Sequence, residues 1–550
     1  MSENRAIARA AGLVALFTFL SRIAGLVRDA TVGYFFGTGL AADAFFVAFR
    51  IPNLLRRFVA EGAMSTAFIP IFTEYWTQRP HRDAVHAARV VATVLALVVS
   101  ALAVLGIVFA EPLTRLFAPG FATDPEKFAL TVSLTRWTFP YIALVSLVAL
   151  CSGILNSLRH FAAPAMSPIF LNLAMIAGAA ASPWVSPPVQ ALAYGVLAGG
   201  LLQLVLQVLS LARLGIVLVP RWEPQHEAVK RAGRLLLPTV FGAAVYQINL
   251  LVDTVLASAL PPGSVSYLWY ADRVFEFPLG LFAVALGTAA LPSFSTLAAR
   301  QDWEGIRTSL RFAIRSTSFI VAPATAGLAV LAYPIVSVLF QRGAFSANEA
   351  WNTAVALTAF AVGLWPVAVL RVVVPAFYAL QDTRTPVWTA AAAFLTNVLF
   401  SLSLMGPVEA GQSSVLHLLA VLTSYMHVAD LRHAGLALAT SLAAAVNLSL
   451  LVILLRRKLG PLGLARLLPH CTRDVLASAA LAVPVWWLQA RLTWSGTEPL
   501  WWRAGWLGVC VVAGVTTFAF AHTTLGGGET RRMWELVRER MNPERQRAPA

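Results

Sequence analysis

The sequence predicts an all-α polytopic membrane protein with fourteen transmembrane helices, built as two six-helix lobes related by an internal repeat plus two C-terminal helices. Three observations lead there. First, 58% of the 550 residues are hydrophobic and 12% charged, with mean hydropathy +0.72. A soluble domain runs about 45–50% apolar and about 25% charged. Second, the apolar runs are continuous rather than alternating, which excludes a membrane β-barrel. At about 20 apolar residues per span plus loops, the length accommodates about 12–15 helices. Third, the 41 basic residues are unevenly distributed between the loops. Cys151, Cys471 and Cys510 lie in or beside apolar segments without metal-ligand spacing and read as small hydrophobic fillers. No Walker A, CxxC or HExxH pattern is present.

The spans, in order, are 6–34, 40–73, 87–110, 128–156, 164–182, 188–213, 231–260, 266–298, 309–332, 348–380, 385–405, 431–456, 473–490 and 500–522. The first starts beside Arg5 and Arg9 and mimics a signal peptide. Arg22 and Arg28 follow in the same run with no small-residue cleavage site before them, so it is an uncleaved helix. The second, eighth and tenth spans are long and contain Pro52, Pro70, Pro278, Pro292 and Pro366, which should bend them. The remaining spans are predominantly apolar and of crossing length.

Net charge is +15. The N-terminus, the even-to-odd loops and the C-terminal tail hold 27 basic residues, the opposite loops 6 (Arg115, Lys127, Arg342, Arg432, Arg491 and Arg503), and the spans 8. The positive-inside rule places both termini in the cytoplasm, as an even helix count requires. The tail, 525–550, reads as a basic segment facing lipid headgroups.

The chain repeats at a period of about 222 residues. Glu111-Pro112-Leu113 with Leu116-Phe117 matches Tyr333-Pro334-Ile335 with Leu339-Phe340. The turn Asn156–Pro164 corresponds to Leu380–Pro386, and Pro70 to Pro292. Residues 1–220 are therefore read as an N-terminal lobe and 225–457 as a C-terminal lobe, followed by a helix pair in 458–524. An even number of helices per repeat gives the lobes the same orientation, the parallel-repeat plan of several transporters.

The informative charges are those inside spans. Arginine at the bilayer centre costs about 2.5–3.5 kcal/mol, so five in the first two helices would cost about 12–18 kcal/mol facing lipid. Ordinary proteins are stable by only about 5–15 kcal/mol. Those side chains must face protein or a wet cavity. Asp43, Arg50 and Arg57 are spaced by seven on one helix face, with Glu61 a turn beyond and Arg56 beside them. Arg22, Arg28 and Asp29 lie on the first helix, and Asp272, Arg273 and Glu276 on the eighth. One reading is a set of ion pairs locking helices together. The other is a cationic cavity for an anion, because the first lobe has two more buried cations than acids and guanidinium binds phosphate bidentately. In the seventh helix Asp253 stands alone in an apolar run. It reads either as a cation- or proton-coupling carboxylate or as a protonated core residue.

The stretches Ser21-Arg22-Ile23-Ala24-Gly25-Leu26-Val27-Arg28-Asp29 and Ala42-Asp43-Ala44-Phe45-Phe46-Val47-Ala48-Phe49-Arg50-Ile51-Pro52-Asn53-Leu54-Leu55-Arg56-Arg57 resemble the MurJ (MviN) lipid II flippase family. Tyr270-Ala271-Asp272-Arg273 with Glu276-Phe277-Pro278, and Gln381-Asp382-Thr383-Arg384-Thr385-Pro386, fit the same family. The resemblance implies the multidrug/oligosaccharidyl-lipid/polysaccharide exporter fold in a bacterial inner membrane. It implies a transporter rather than an enzyme, moving undecaprenyl-pyrophosphate-linked disaccharide pentapeptide from the cytoplasmic to the periplasmic leaflet. It places substrate-binding residues on Arg22, Arg28, Arg56, Arg273 and Asp43. Asp29, Arg50, Asn53, Arg57, Glu61, Asp272 and Glu276 would support the cavity, and helices thirteen and fourteen would form a lipid groove. A family cation site would fall on Asp253, Asn397, Ser401, Thr440 and the Leu436 carbonyl. Ser401 replaces a carboxylate there, and a hard cation prefers charged oxygens. No cofactor or nucleic acid is expected. Energy would come from Na+, H+ or the membrane potential, and partners would be lipid II, the membrane and the peptidoglycan-synthesis machinery. Residues 406–430 look like an insertion. Two rivals are an ion-coupled drug or polysaccharide-lipid exporter centred on Asp253, and a glycosyltransferase using Glu409, Asp430 or Glu498.

Overall fold

The computed structural model describes residues 2–56, 64–411, 413–494, 496 and 498–530. These residues are overwhelmingly helical, with one isolated β-bridge between Met405 and Asp430. The first three spans are α1 (Ser2–Phe36), the pair α2 (Leu40–Arg56) and α3 (Met64–Gln78), and α4 (His81–Val108). A short helix, α5 (Ala110–Phe117), leads to the fourth span, α6 (Pro125–Thr138) with α7 (Tyr141–Ser157). The fifth to seventh are α8 (Ala162–Ala180), α9 (Gln190–Arg213) and α10 (Glu227–Ser258). The eighth is α11 (Ser264–Pro278), a π-helical turn over Leu279–Ala283, and α12 (Val284–Ala299). The ninth is α13 (Trp303–Val330), and the short α14 (Ala332–Phe340) follows. The tenth is α15 (Ala347–Val362) with α16 (Leu364–Ala379), and the eleventh is α17 (Arg384–Leu404). The helix α18 (Ser414–Met426) precedes the twelfth span, α19 (Arg432–Leu459). The last two are α20 (Leu468–Ala490) and α21 (Leu500–Thr524).

The fold is thus an all-α polytopic membrane protein. Among the described residues, eight stretches are long and apolar enough to cross a membrane: α4, α6–α7, α8, α9, α13, α17, α19 and α21. The pair α15–α16, bent by 43°, makes a ninth. Outside this set are α1, α2–α3, α10, α11–α12 and α20; α2, α3, α11 and α12 are 17, 15, 15 and 16 residues long, each shorter than a full crossing.

The bends have local causes. The tenth span breaks at Gly363 rather than at Pro366. Pro366 falls in the first turn of α16, where its missing N–H has no intrahelical partner to lose. A Cβ on Gly363 would lie 2.5 Å from Ser441 Oγ, so glycine lets α19 approach the break. The fourth span breaks at Phe139-Pro140, where a single helix is expected from the apolar run. The short helices α5 and α14 begin 222 residues apart, in step with the sequence repeat.

Two compact units result: Met1–Ser266 with Arg342–Ser346 and Val408–Leu422, and Tyr267–Gln341 with Ala347–Pro407 and Thr423–Ala550. In the first unit α1 packs on α8, α2 on α6, and α8 and α7 on α9. Its core centres on Phe72, Val91, Leu150, Ile154 and Leu211. The α8–α9 contact is close because small residues face backbone: a Cβ on Gly178 would lie 2.5 Å from the Ala191 carbonyl oxygen. In the second unit α12, α13 and α19 pack on α16 around Val372, Phe377, Leu451 and Leu455. A separate core of Leu331, Leu481, Val485, Cys510 and Phe518 joins α20 and α21 to α13. The insertion is pinched at its base, where the Val428 and Leu431 N–H groups donate to the Ser403 and Leu404 carbonyls at 2.8 and 2.9 Å.

Candidate substrate-binding site

The arginine-bearing face of α1 is built against α8. Arg28 donates from Nε and Nη2 to Asp29 Oδ1 at 2.9 and 2.7 Å, and from Nη1 to Asn172 Oδ1 at 3.0 Å. Asn172 in turn donates to the Ser21 carbonyl at 3.1 Å. Asp29 is 2% exposed, so its negative charge is carried into the helix bundle next to the guanidinium. Three of the five guanidinium N–H bonds of Arg28 are used in fixing it, and two remain for a ligand. Arg22 is exposed and has no hydrogen-bond or ion-pair partner among the described residues. Arg28 is thus paired within this unit, and Arg22 is exposed.

Asp43 is placed differently from the expectation that it binds substrate. It is 1% exposed and both oxygens are engaged. Lys127 Nζ on α6 donates to Oδ2 at 2.7 Å and the Gly263 N–H at 2.8 Å. Ser266 donates to Oδ1 from N–H at 2.9 Å and from its hydroxyl at 2.6 Å. The carboxylate thus caps the N-terminus of α11, where free N–H groups and the helix dipole favour an anion. Lys127 is itself 5% exposed and lies 4.0 Å above the Phe121 ring. Sequence counting had assigned Lys127 to the exposed outer loops. Nothing in the pattern around it signals burial, because a lysine at the start of a span usually reaches water.

Arg50, half-buried on α2, donates to Thr254 Oγ1 at 2.7 Å. Thr254 follows Asp253, so the helix that carries this carboxylate has an arginine fastened at its side. Asn53 is half-buried on the same helix. The side chain of Arg56, and Arg57 and Glu61 altogether, lie outside the described residues.

In the second unit Arg273 lies 4.6 Å from the Trp269 ring centroid and 3.1 Å from Glu276. The cation is held by a π face and an exposed i,i+3 acid, leaving it partly solvent-accessible. Asp272 is half-buried beside it. Of the expected cation ligands, Thr440 Oγ1 lies 3.4 Å from Asn397 Oδ1 and 3.1 Å from the Leu436 carbonyl, so α17 and α19 bring these three together. Ser401 is fully buried one turn further on, and its Oγ has no hydrogen-bond partner among the described residues. The contacts of this cluster join the oxygens of Asn397, Thr440 and Leu436.

A family model described as lipid II flippase MurJ matches residues 32–502. The chain belongs to the MurJ lipid II flippase family. The lipid II flippase MurJ of Burkholderia cenocepacia is 36% identical over 503 residues, 90% of this chain and 92% of the relative. The probable lipid II flippase MurJ of Haemophilus influenzae is 34% identical over 532 residues, 92% of this chain and 98% of the relative. A solved MurJ structure in an inward closed conformation superposes with TM-score 0.74 at 25% identity, covering 93% of this chain and 98% of its own. An inward-facing multidrug resistance MATE family transporter of the MOP superfamily gives TM-score 0.60 at 14% identity, over 82% of this chain and 99% of its own, and shows fold alone. Arg22 and Arg28 lie ahead of the stretch matched by the MurJ model, whereas Asp43, Arg50 and Arg273 lie within it.

Proposed function

We propose that this MurJ family member flips lipid II by alternating access and catalyses no covalent step. The observation that carries the proposal is the state of the arginines on α1. Arg28 is fixed by Asp29 and Asn172 with two N–H bonds to spare, and Arg22 has no protein partner among the described residues. A pyrophosphate offers what such groups lack, several anionic oxygens that guanidinium binds in pairs. Arg56 and Arg273 are each assigned to substrate binding by their match to the family motifs. Asp43 is assigned a positioning role. Both termini are taken to be cytoplasmic on the positive-inside count, the polyprenyl chain runs along α20 and α21 in lipid, and the peptidoglycan-synthesis machinery supplies and consumes the substrate. Ser401 stands where the family's cation site has a carboxylate, and a hard cation prefers charged oxygens, so the membrane potential or protons drive the cycle in preference to sodium.

Arg56→Ala or Arg273→Ala should abolish complementation of a flippase-depleted strain while the protein still inserts; normal growth of both would overturn the assignment. Leaflet-specific labelling of lipid II after depletion separates the rivals. Accumulation in the cytoplasmic leaflet fits a flippase, and accumulation in the periplasmic leaflet fits a polymerase. A drug exporter of this fold would tolerate both substitutions and depend on Asp253.

A further inference from the structure

The last two helices hold a buried ionisable cluster that lipid binding does not use. Asp474 on α20 is 2% exposed and His522 on α21 is 1% exposed. His522 Nε2 lies 3.2 Å from Asp474 Oδ1, and Nδ1 lies 2.7 Å from Thr530 Oγ1. The chain turns after α21 at Gly526, whose φ is +79°, and returns Glu529 to the same place. Glu529 is bonded to Arg315 of α13, and its carboxylate lies 3.8 Å from His522 Nε2 and 3.8 Å from His470 Nδ1. Arg473 donates to the Gly526 carbonyl at 3.4 Å. The charged or titratable groups around Asp474 and His522 among the described residues are thus Arg315 from α13, His470, Cys471 and Arg473 from α20, and Glu529 from the returning segment.

Two cations, Arg315 and Arg473, stand against two carboxylates, Glu529 and Asp474, but Arg315 is bonded to Glu529, and Arg473 donates to a carbonyl. Burial opposes the charge on Glu529, but the Arg315 hydrogen bond outweighs it and holds that carboxyl below its usual range. Asp474 has His522 as its direct partner, and Asp474 Oδ2 has no hydrogen bond among the described residues. A buried carboxylate beside a neutral imidazole is expensive, whereas one added proton relieves that cost. That proton can be on the carboxyl or complete an imidazolium; both satisfy the pair.

We propose that Asp474 and His522 form a proton-binding site and that its occupancy sets whether the segment after α21 stays docked through Glu529. Glu529 places a negative charge 3.8 Å from His522 Nε2. A proton gained by the pair therefore strengthens the docking of Glu529. Acid favours the docked segment, and alkali releases it. The ligand is a proton from the side on which the segment after α21 lies, so the docking of Glu529 follows pH on that side.

The test uses the full-length protein in nanodiscs with trifluoromethyl-phenylalanine in place of Gly528, where a Cβ meets nothing within 4 Å, followed by 19F NMR from pH 5.5 to 9. Wild type should pass from a docked to a released signal with one midpoint. Asp474→Asn should abolish the transition or move its midpoint by at least one pH unit. Glu529→Gln should show the released signal throughout. His522→Gln provides the same readout should Asp474→Asn fail to fold. A wild-type signal that does not change with pH, or a midpoint unmoved by the Asp474 or His522 substitution, overturns the proposal.

Discussion

Replacing Asp43 by alanine tests whether that carboxylate holds the fold or touches the substrate. The substitution removes four hydrogen bonds from a fully buried position. It strands Lys127, an ammonium that is 5% exposed, and orphans the N–H groups of Gly263 and Ser266. Stripping one partner from a buried ion pair costs about 3–5 kcal/mol. Each orphaned buried N–H adds about 1–3 kcal/mol. The loss is therefore at least about 5 kcal/mol, comparable to the whole stability of many proteins. Thermal unfolding of the purified protein in detergent, followed by tryptophan fluorescence, should show Asp43→Ala unfolding far below wild type. Adding Lys127→Met removes the stranded cation and should recover about 3–5 kcal/mol of that loss, leaving the orphaned N–H groups as the residual defect. Were Asp43→Ala to unfold with wild type yet fail to complement, the residue would be a ligand and the reasoning above would be wrong. A double variant no more stable than the single one would equally remove the ion pair as the cause.

Other substitutions test other joints. Asn172→Ala frees Nη1 of Arg28 and should reduce complementation at unchanged membrane abundance; full plating efficiency would deny it a positioning role. Gly120→Ala pushes a Cβ into the Ser258 carbonyl and should cost about 1–3 kcal/mol through overpacking, read as a lower unfolding temperature. In the turn before α17, burial raises the Asp382 pKa, but hydrogen bonds from Lys458 and from the Thr385 hydroxyl and N–H outweigh it and hold the carboxyl well below its usual range. A depressed folded pKa stabilises above the unfolded value near about 4 and stops doing so as pH falls below it. Wild type should therefore lose stability from about pH 4 downward more steeply than Asp382→Asn, and parallel profiles would contradict the pairing.

Helix identity was legible because span length, continuous apolarity and the 222-residue offset are local or periodic signals. The bends were half legible. Pro278 coincides with the end of α11, but the tenth span yields at Gly363, since what breaks a helix is a missing contact or a required close approach as much as a proline. Charge placement was least legible. Lys127 and Arg503 were both counted with the outer loops, yet both are buried. Arg503 donates to the Ser337 and Gln341 carbonyls at 3.2 and 3.4 Å, capping the end of α14. Neither partner set is near in sequence, so no window of residues could reveal it. The arginine motif on α2 was recognisable as a motif, but its division into a knot at Asp43 and a tether at Arg50 comes from α6 and α10.

The order of synthesis acts on the same knot. Lys127 emerges 84 residues after Asp43, but Gly263 and Ser266 follow 220 and 223 residues after it. At about 5–20 residues per second, the ribosome takes about 10–45 s to deliver those donors. Throughout that interval the nascent chain holds a half-solvated carboxylate in a helix too polar to rest in lipid by itself. Biogenesis of this transporter therefore requires a sheltered waiting place at the insertion machinery, and a pause or truncation before residue 263 should leave an intermediate exposed to membrane proteases.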